Sequence, residues 1–173
     1  TLAKFSMDVC LYMSQNFDFI TLPSHLTTGS SIMPHKKNPD VFELIRGKCN
    51  KIQALPYEIT LITNNLPSGY HRDLQLLKEG LFPAIQNLKA CLDIALFSIK
   101  DIKVKEHILD DKKYDYLFTV DSLNEMVVAG MPFRDAYKTV AEQLENGTFQ
   151  SPKETKHTHE GSINNLCLDA IKE

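Results

Sequence analysis

Apolar residues recur at steps of three and four from the start of the chain, where Leu2, Phe5, Val9, Tyr12 and Met13 fall on one face of a helix over 1–17. The pattern is already under way at Thr1, with nothing before it to cap the helix or cover its apolar stripe, so the sequence is expected to be a fragment of a longer protein. From Asp18 to Ser31 the density of Pro23, Ser24, Thr27, Thr28, Gly29, Ser30 and Ser31 predicts a loop. Asn38-Pro39 then reads as a helix start, with Asn38 as cap and Pro39 at the first helical position. Val41, Phe42, Leu44, Ile45, Cys49, Ile52 and Leu55 supply its apolar face to about Asn64, with Pro56 expected to bend or divide it. After a break at Leu66-Pro67-Ser68-Gly69, a second long helix is marked by Leu74, Leu77, Leu81, Ile85, Leu88, Leu92, Leu96 and Ile99, with a kink near Pro83.

Two long amphipathic helices joined by a short turn form an antiparallel hairpin, and faces this wide need further helices to cover them, from other subunits if not from the same chain. Beyond Asp101 the elements shorten. A charged stretch runs to Lys113, helices follow over 119–129 and 132–144 with Gly130-Met131-Pro132 between them, and Asn146-Gly147 ends the second. The polar run 150–160 reads as an exposed loop, and 163–171 as a last short helix. No strand-like alternation is long enough to be read as a sheet, so the fold class is all-α, divided into residues 1–100 and a smaller helical region over 101–173.

With 43% hydrophobic and 24% charged residues the composition is that of an ordinary globular protein. A net charge of -3 argues against nucleic acid as a partner, which requires a basic face. Cys10, Cys49, Cys91 and Cys167 stand singly, without the paired spacing of a zinc knuckle or redox motif, which fits a reduced compartment. No signal-peptide pattern is present and no uninterrupted apolar run approaches the ~20 residues of a membrane helix. These features together predict a cytoplasmic protein without a membrane partner.

The chemistry concentrates in Thr28-Gly29-Ser30-Ser31-Ile32-Met33-Pro34-His35-Lys36-Lys37-Asn38-Pro39. Hydroxyls, cations, a glycine and a helix start lie together there, and such a set suits an anion: loop amides and the positive end of a helix dipole can face a carboxylate. From Lys36 to Lys51 five bases (Lys36, Lys37, Arg46, Lys48, Lys51) outnumber two acids (Asp40, Glu43), so this stretch is positive in an acidic chain. A Ser-Ser loop before a helix is also a common structural device, and spacing alone does not choose between the two. His157 and His159, with Glu154, could hold a metal only if a polar loop were organised around them; an exposed segment without a metal is expected. His25, His71 and His107 lack partner spacing.

The same run resembles the signature G-S-S-x-M-P-x-K-x-N-P of the fumarase and aspartase superfamily, matching at Gly29, Ser30, Ser31, Met33, Pro34, Lys36, Asn38 and Pro39. Within it, Tyr70-His71-Arg72-Asp73-Leu74-Gln75-Leu76-Leu77-Lys78 and Gly130-Met131-Pro132-Phe133-Arg134-Asp135-Ala136-Tyr137 resemble stretches of the argininosuccinate lyase family. Lys37 and Asp40 point the same way. His71 stands where that family usually has Asn, and Leu76-Leu77 where it often has an acidic pair; His35 leans toward adenylosuccinate lyases, the nearest alternative.

The resemblance implies a long-helix bundle over 1–100 with a small carboxyl-terminal domain, a homotetramer with active sites shared between subunits, and β-elimination of fumarate from argininosuccinate without a cofactor. It implies Ser30 as the base and Lys36 as a catalytic cation, with Glu43 orienting a histidine from the amino-terminal half that this chain lacks. Lys36 and Asn38 would bind the succinyl carboxylates and stabilise the intermediate, Ser31 would be a further substrate-binding residue, and Tyr70, Gln75 and Lys78 would hold the arginine-like half. The loop over 26–37 is expected to close as a lid, and the chain alone is expected to be inactive. A helical assembly module derived from such a lyase, as in the related crystallins, is a second class; retention of Ser30 and Lys36 favours the enzyme.

Overall fold

The computed structural model describes residues 1–152 and 157–171. They form two compact units, Thr1–Glu106 and His107–Glu173, whose regular structure is nearly all helical.

The first unit is built on α1 (Leu2–Tyr12), α2 (Asp40–Ile52), α3 (Leu55–Ile62) and α4 (Leu77–Ile99). α2 is the central element, packing against α1 on one side and α4 on another. Its buried residues Phe42, Ile45 and Cys49 repeat at three and four, and they meet Val9 of α1 and Cys91 and Ala95 of α4 in one core with Leu22 and Leu26. Phe42 is fully buried, and its ring lies edge-on to Phe5 with centroids 6.0 Å apart.

Several boundaries differ from the sequence reading. α1 ends at Tyr12, and Tyr12, Phe17 and Phe19 gather into an aromatic cluster just beyond it. α2 begins at Asp40, with Pro39 as its cap residue and the Pro39 carbonyl accepting from the Phe42 and Glu43 amides at 2.9 and 3.0 Å. Asn38 does not cap the helix, because its backbone is committed to a bridge with Thr28. The long helix expected from there to about Asn64 divides before Pro56, which sits in the first turn of α3, where its missing N–H costs no helical hydrogen bond.

A small antiparallel pair was not expected: β1 (Ile20–Thr21) and β2 (Lys103–Val104) align Ile20 with Val104 and Thr21 with Lys103. Two-residue strands carry no legible alternation. A Lys105–Asp18 ion pair and a bond from the Lys105 amide to the Phe19 carbonyl extend this tie between the segment after α1 and the segment after α4.

α4 follows a 3-10 turn over Arg72–Leu76 and continues through Pro83. The side it buries is a stripe of small residues, including Cys91, Ala95 and Ser98. Gly80 approaches α3 so closely that a Cβ there would lie 2.9 Å from a Leu55 methyl. The leucine stripe, expected to need covering helices from this chain or from other subunits, is exposed within the chain along Leu81, Ile85, Leu88, Leu92, Leu96 and Ile99. The stretch Arg72–Ile99 is by length and composition apolar enough to cross a membrane, although Lys89 and Asp93 interrupt it and no unbroken apolar run of that length exists.

In the second unit α5 (Thr119–Val128) and α6 (Phe133–Glu145) pack through Leu123, Ala136 and Val140, with Met126, Leu144 and Phe149 around them. Gly130 and Gly147 take positive φ at the ends of these helices, where L-residues are strained. Two 3-10 segments, Ile108–Asp110 and Lys112–Phe118, precede α5, and α7 (Leu168–Ile171) is shorter than the helix expected over 163–171.

Replacing Phe42 should test the central role of α2. Phe42→Ala is expected to lower the unfolding free energy of the protein by about 3–5 kcal/mol, and Phe42→Leu by clearly less, read by urea denaturation. A loss below about 1 kcal/mol for Phe42→Ala would contradict the packing described.

Candidate active site

The loop ahead of α2 is closed at its base by two backbone bonds, the Asn38 amide to the Thr28 carbonyl at 2.8 Å and the Thr28 amide to the Asn38 carbonyl at 3.2 Å. Inside it, Ser30 Oγ accepts from the Ile32 amide at 3.2 Å and the Met33 amide at 3.1 Å. That is a serine turn, in which the hydroxyl organises the backbone that follows it. The Lys36 amide donates to the Met33 carbonyl at 3.0 Å and closes a second turn. Asn38 Nδ2 reaches the Gly29 carbonyl at 3.5 Å.

One side of this loop borders a cleft of about 690 Å³, shared with the end of α1 and the segment through β1. His35, Lys36, Lys37, Asn38 and Glu43 line it, opposite Cys10 and Asp18. The structure thus brings Lys36, Asn38 and Glu43 together on one cleft. Ser30 and Ser31 belong to the same loop but stand outside the cleft lining. Tyr70, Gln75 and Lys78 form a separate group where the chain enters α4: Gln75 Nε2 donates to Tyr70 Oη, and none of the three lines the cleft.

The sequence reading passed over Cys10 and Asp18 as cleft residues, since both come from a segment without a motif. It used His35 only to choose between families and Lys37 only for that and for the local positive charge, and both line the cleft. The electrostatics are mixed. Asp18 is engaged by Lys105, leaving Glu43 facing the cations of the loop. Burial pushes the Cys10 thiol up from its ordinary pKa; the Arg46 guanidinium opposes this and Glu43 reinforces it. Arg46 is itself held against α1 by a contact from Nη1 to Met7 Sδ at 2.9 Å. In the core beneath, burial and the neighbouring Cys91 thiol raise Cys49.

Among the described residues no group of three or more His, Cys, Asp or Glu side chains is placed to hold a metal. Glu154 lies outside the described residues. His157 is partly buried rather than free in an exposed loop: its Nε2 lies 2.7 Å from Asp121 Oδ1 of α5, and its ring stacks on His159 at 5.8 Å.

Residues 1–54 match the family model described as Lyase. The chain is 60% identical over 171 residues to a protein named argininosuccinate lyase from Parabacteroides distasonis, covering 99% of this chain and 38% of that one. The likeness to proteins named argininosuccinate lyase runs along nearly the whole of this chain. The argininosuccinate lyase of Bacteroides fragilis is 58% identical over 171 residues, and that of Ruthia magnifica 40% over 172, each covering 99% of this chain. This chain spans less than two fifths of the length of these argininosuccinate lyases. Among solved structures, an EDDS lyase in complex with formate superposes with a TM-score of 0.68 at 20% identity, covering 84% of this chain and 30% of that one. A 3-carboxy-cis,cis-muconate lactonizing enzyme from Pseudomonas putida does so at 0.66 and 16%, covering 89% and 35%. At such identities these two likenesses concern the fold alone.

The Cys10 environment has a direct consequence for its reactivity. Thiolate is the reactive form, so a raised pKa moves alkylation to higher pH. Cys10 is expected to reach half its limiting rate with iodoacetamide at a higher pH than free cysteine, followed by mass spectrometry over about pH 7 to 10. A profile at or below that of free cysteine would contradict the placement.

Proposed function

We propose that this chain is part of an argininosuccinate lyase, which eliminates fumarate from argininosuccinate and leaves arginine. The observation that carries the reading is the convergence of Lys36, Asn38 and Glu43 on one cleft, in a chain 60% identical to a named argininosuccinate lyase.

In this reading a base removes a proton from the carbon beside a succinyl carboxylate. The electron pair spreads into that carboxylate as an aci-carboxylate, then forms the double bond of fumarate as the carbon–nitrogen bond breaks. The leaving nitrogen takes up a proton and departs with arginine. The energetic problem is the carbanion, and Lys36 with the Asn38 side-chain amide supplies a cation and a donor where its charge develops.

Ser30 is the proposed base. A hydroxyl serves only if its alkoxide is stabilised, and the Ile32 and Met33 amides already directed at Ser30 Oγ are donors of that kind. Because Ser30 stands outside the cleft lining, the loop has to fold over bound substrate for its oxygen to reach the carbon, which is the movement of a lid. Lys36 and Asn38 bind the succinyl carboxylates, and Ser31 is a further substrate-binding residue. Glu43 orients a histidine supplied by the rest of the protein.

Tyr70, Gln75 and Lys78 hold the arginine-like half of a substrate in a site completed by another subunit, which accounts for their distance from the cleft within one chain. Residues 1–100 form part of the central bundle of a homotetramer, and the exposed stripe of α4 is the surface that other subunits cover. The smaller helical region expected over 101–173, whose compact unit begins at His107, forms the small carboxyl-terminal domain. The protein works in the cytoplasm without cofactor or metal, and without nucleic-acid or membrane partners.

In the full-length protein Ser30→Ala should reduce turnover of argininosuccinate by about a thousandfold or more with the fold retained, measured by fumarate absorbance. Near-normal activity would remove Ser30 from the role. Faster fumarate release from adenylosuccinate than from argininosuccinate would redirect the assignment to the neighbouring lyase class. Placing a charge in the α4 stripe, as in Leu92→Glu, should shift the tetramer to smaller species in sedimentation; an unchanged tetramer would show that this face is not the interface.

A further inference from the structure

The signature leaves the position between Pro34 and Lys36 open, and here it holds a histidine whose surroundings differ from those of the other histidines. His25, His107 and His157 each have a carboxylate within 4.0 Å, from Asp101, Asp110 and Asp121 respectively. His159 stacks on His157. His71 also lacks a hydrogen-bond partner at Nε2, but that nitrogen is buried and stands outside the cleft. Among the described residues His35 has no hydrogen-bond or ion-pair partner, and it lines the cleft beside Lys36, Lys37 and Asn38.

Its position is fixed by the backbone rather than by packing. The bond from the Lys36 amide to the Met33 carbonyl makes residues 33–36 a β-turn with Pro34 second and His35 third. Proline at the second position presets φ and favours the turn before any ligand arrives. A side chain at the tip of such a turn, exposed and sharing the cleft lining with Lys36 and Lys37, offers an N–H to an anion at little ordering cost. Of the two acids lining the cleft, Asp18 is already engaged by Lys105.

We propose that His35 is a carboxylate-binding residue of this cleft, which donates a ring N–H to a dicarboxylate alongside Lys36 and Asn38. The proposal rests on the lyase reading and adds to it a contact that works mainly in binding. A lysine ammonium is a strongly hydrated point charge that attracts an anion from many directions. An imidazole N–H is directional, so His35 selects how a carboxylate is oriented in the cleft.

The test uses the full-length lyase and its His35→Ala and His35→Gln variants, the second of which keeps an N–H donor. For His35→Ala, KM for argininosuccinate and the inhibition constant of fumarate should both rise about five- to twentyfold, with kcat within about twofold. His35→Gln should recover most of the loss. Equal KM and inhibition constants in all three proteins overturn the proposal, and so does an equal loss in both variants, since that marks a structural role.

Calorimetry with succinate on the same proteins separates this from failure of the lyase reading. If the parent protein binds succinate and His35→Ala weakens that binding about fivefold or more, His35 is supported whatever the enzyme turns over. Unweakened binding in His35→Ala, or no binding by the parent protein, overturns it.

Discussion

The two backbone bonds between Thr28 and Asn38 determine where the chemistry of this chain can sit. They pin both ends of the loop that carries Ser30 and Lys36, and they hold its last residues at the entrance to α2. That helix is in turn fixed by Phe42, Ile45 and Cys49, which are buried against α1 and α4. Burying such side chains contributes about 1.5–3 kcal/mol each. The placement of Lys36 and Glu43, the two residues proposed for catalysis, on one cleft therefore derives from an apolar core to which neither belongs. A shift of α2 by one turn would carry Glu43 away from the loop without altering any residue of the signature.

The remainder of the first unit makes sense as part of a larger assembly. α4 turns its small residues inward, where Gly80 and Ala95 permit close approach, and leaves its leucine stripe outward. A large exposed apolar stripe is unfavourable in water and calls for a covering surface. In the proposed tetramer the same covering brings the Tyr70, Gln75 and Lys78 group of one subunit toward the cleft of another. A site divided in this way explains why motifs far apart in sequence can serve one reaction while remaining separate within a single chain.

Much of the fold was legible because helical periodicity is a strong signal: α5 and α6 fall within a residue or two of their expected limits, and Pro56 divides the helix it was expected to disturb. What escaped was decided by tertiary contacts. The β1–β2 pair is too short for any alternation, and it forms because two segments distant in sequence meet. Asn38 has the chemistry of a helix cap, but the Thr28 bridge claims its backbone first. The direction in which α4 faces could not be read from leucine spacing, since an apolar stripe signals burial without saying whether the same chain provides it. At the site, the signature made Ser30, Lys36 and Asn38 visible as a group. The cleft opposite them, with Cys10 and Asp18, came from a segment that carries no motif.

The most direct measurement is a crystal structure of the full-length protein with argininosuccinate held by an inactive variant. The account predicts a succinyl carboxylate within hydrogen-bond distance of Lys36 and Asn38, and Ser30 folded over the carbon that loses its proton. Substrate bound elsewhere, with the 28–38 loop facing solvent on a side away from it, would contradict the account.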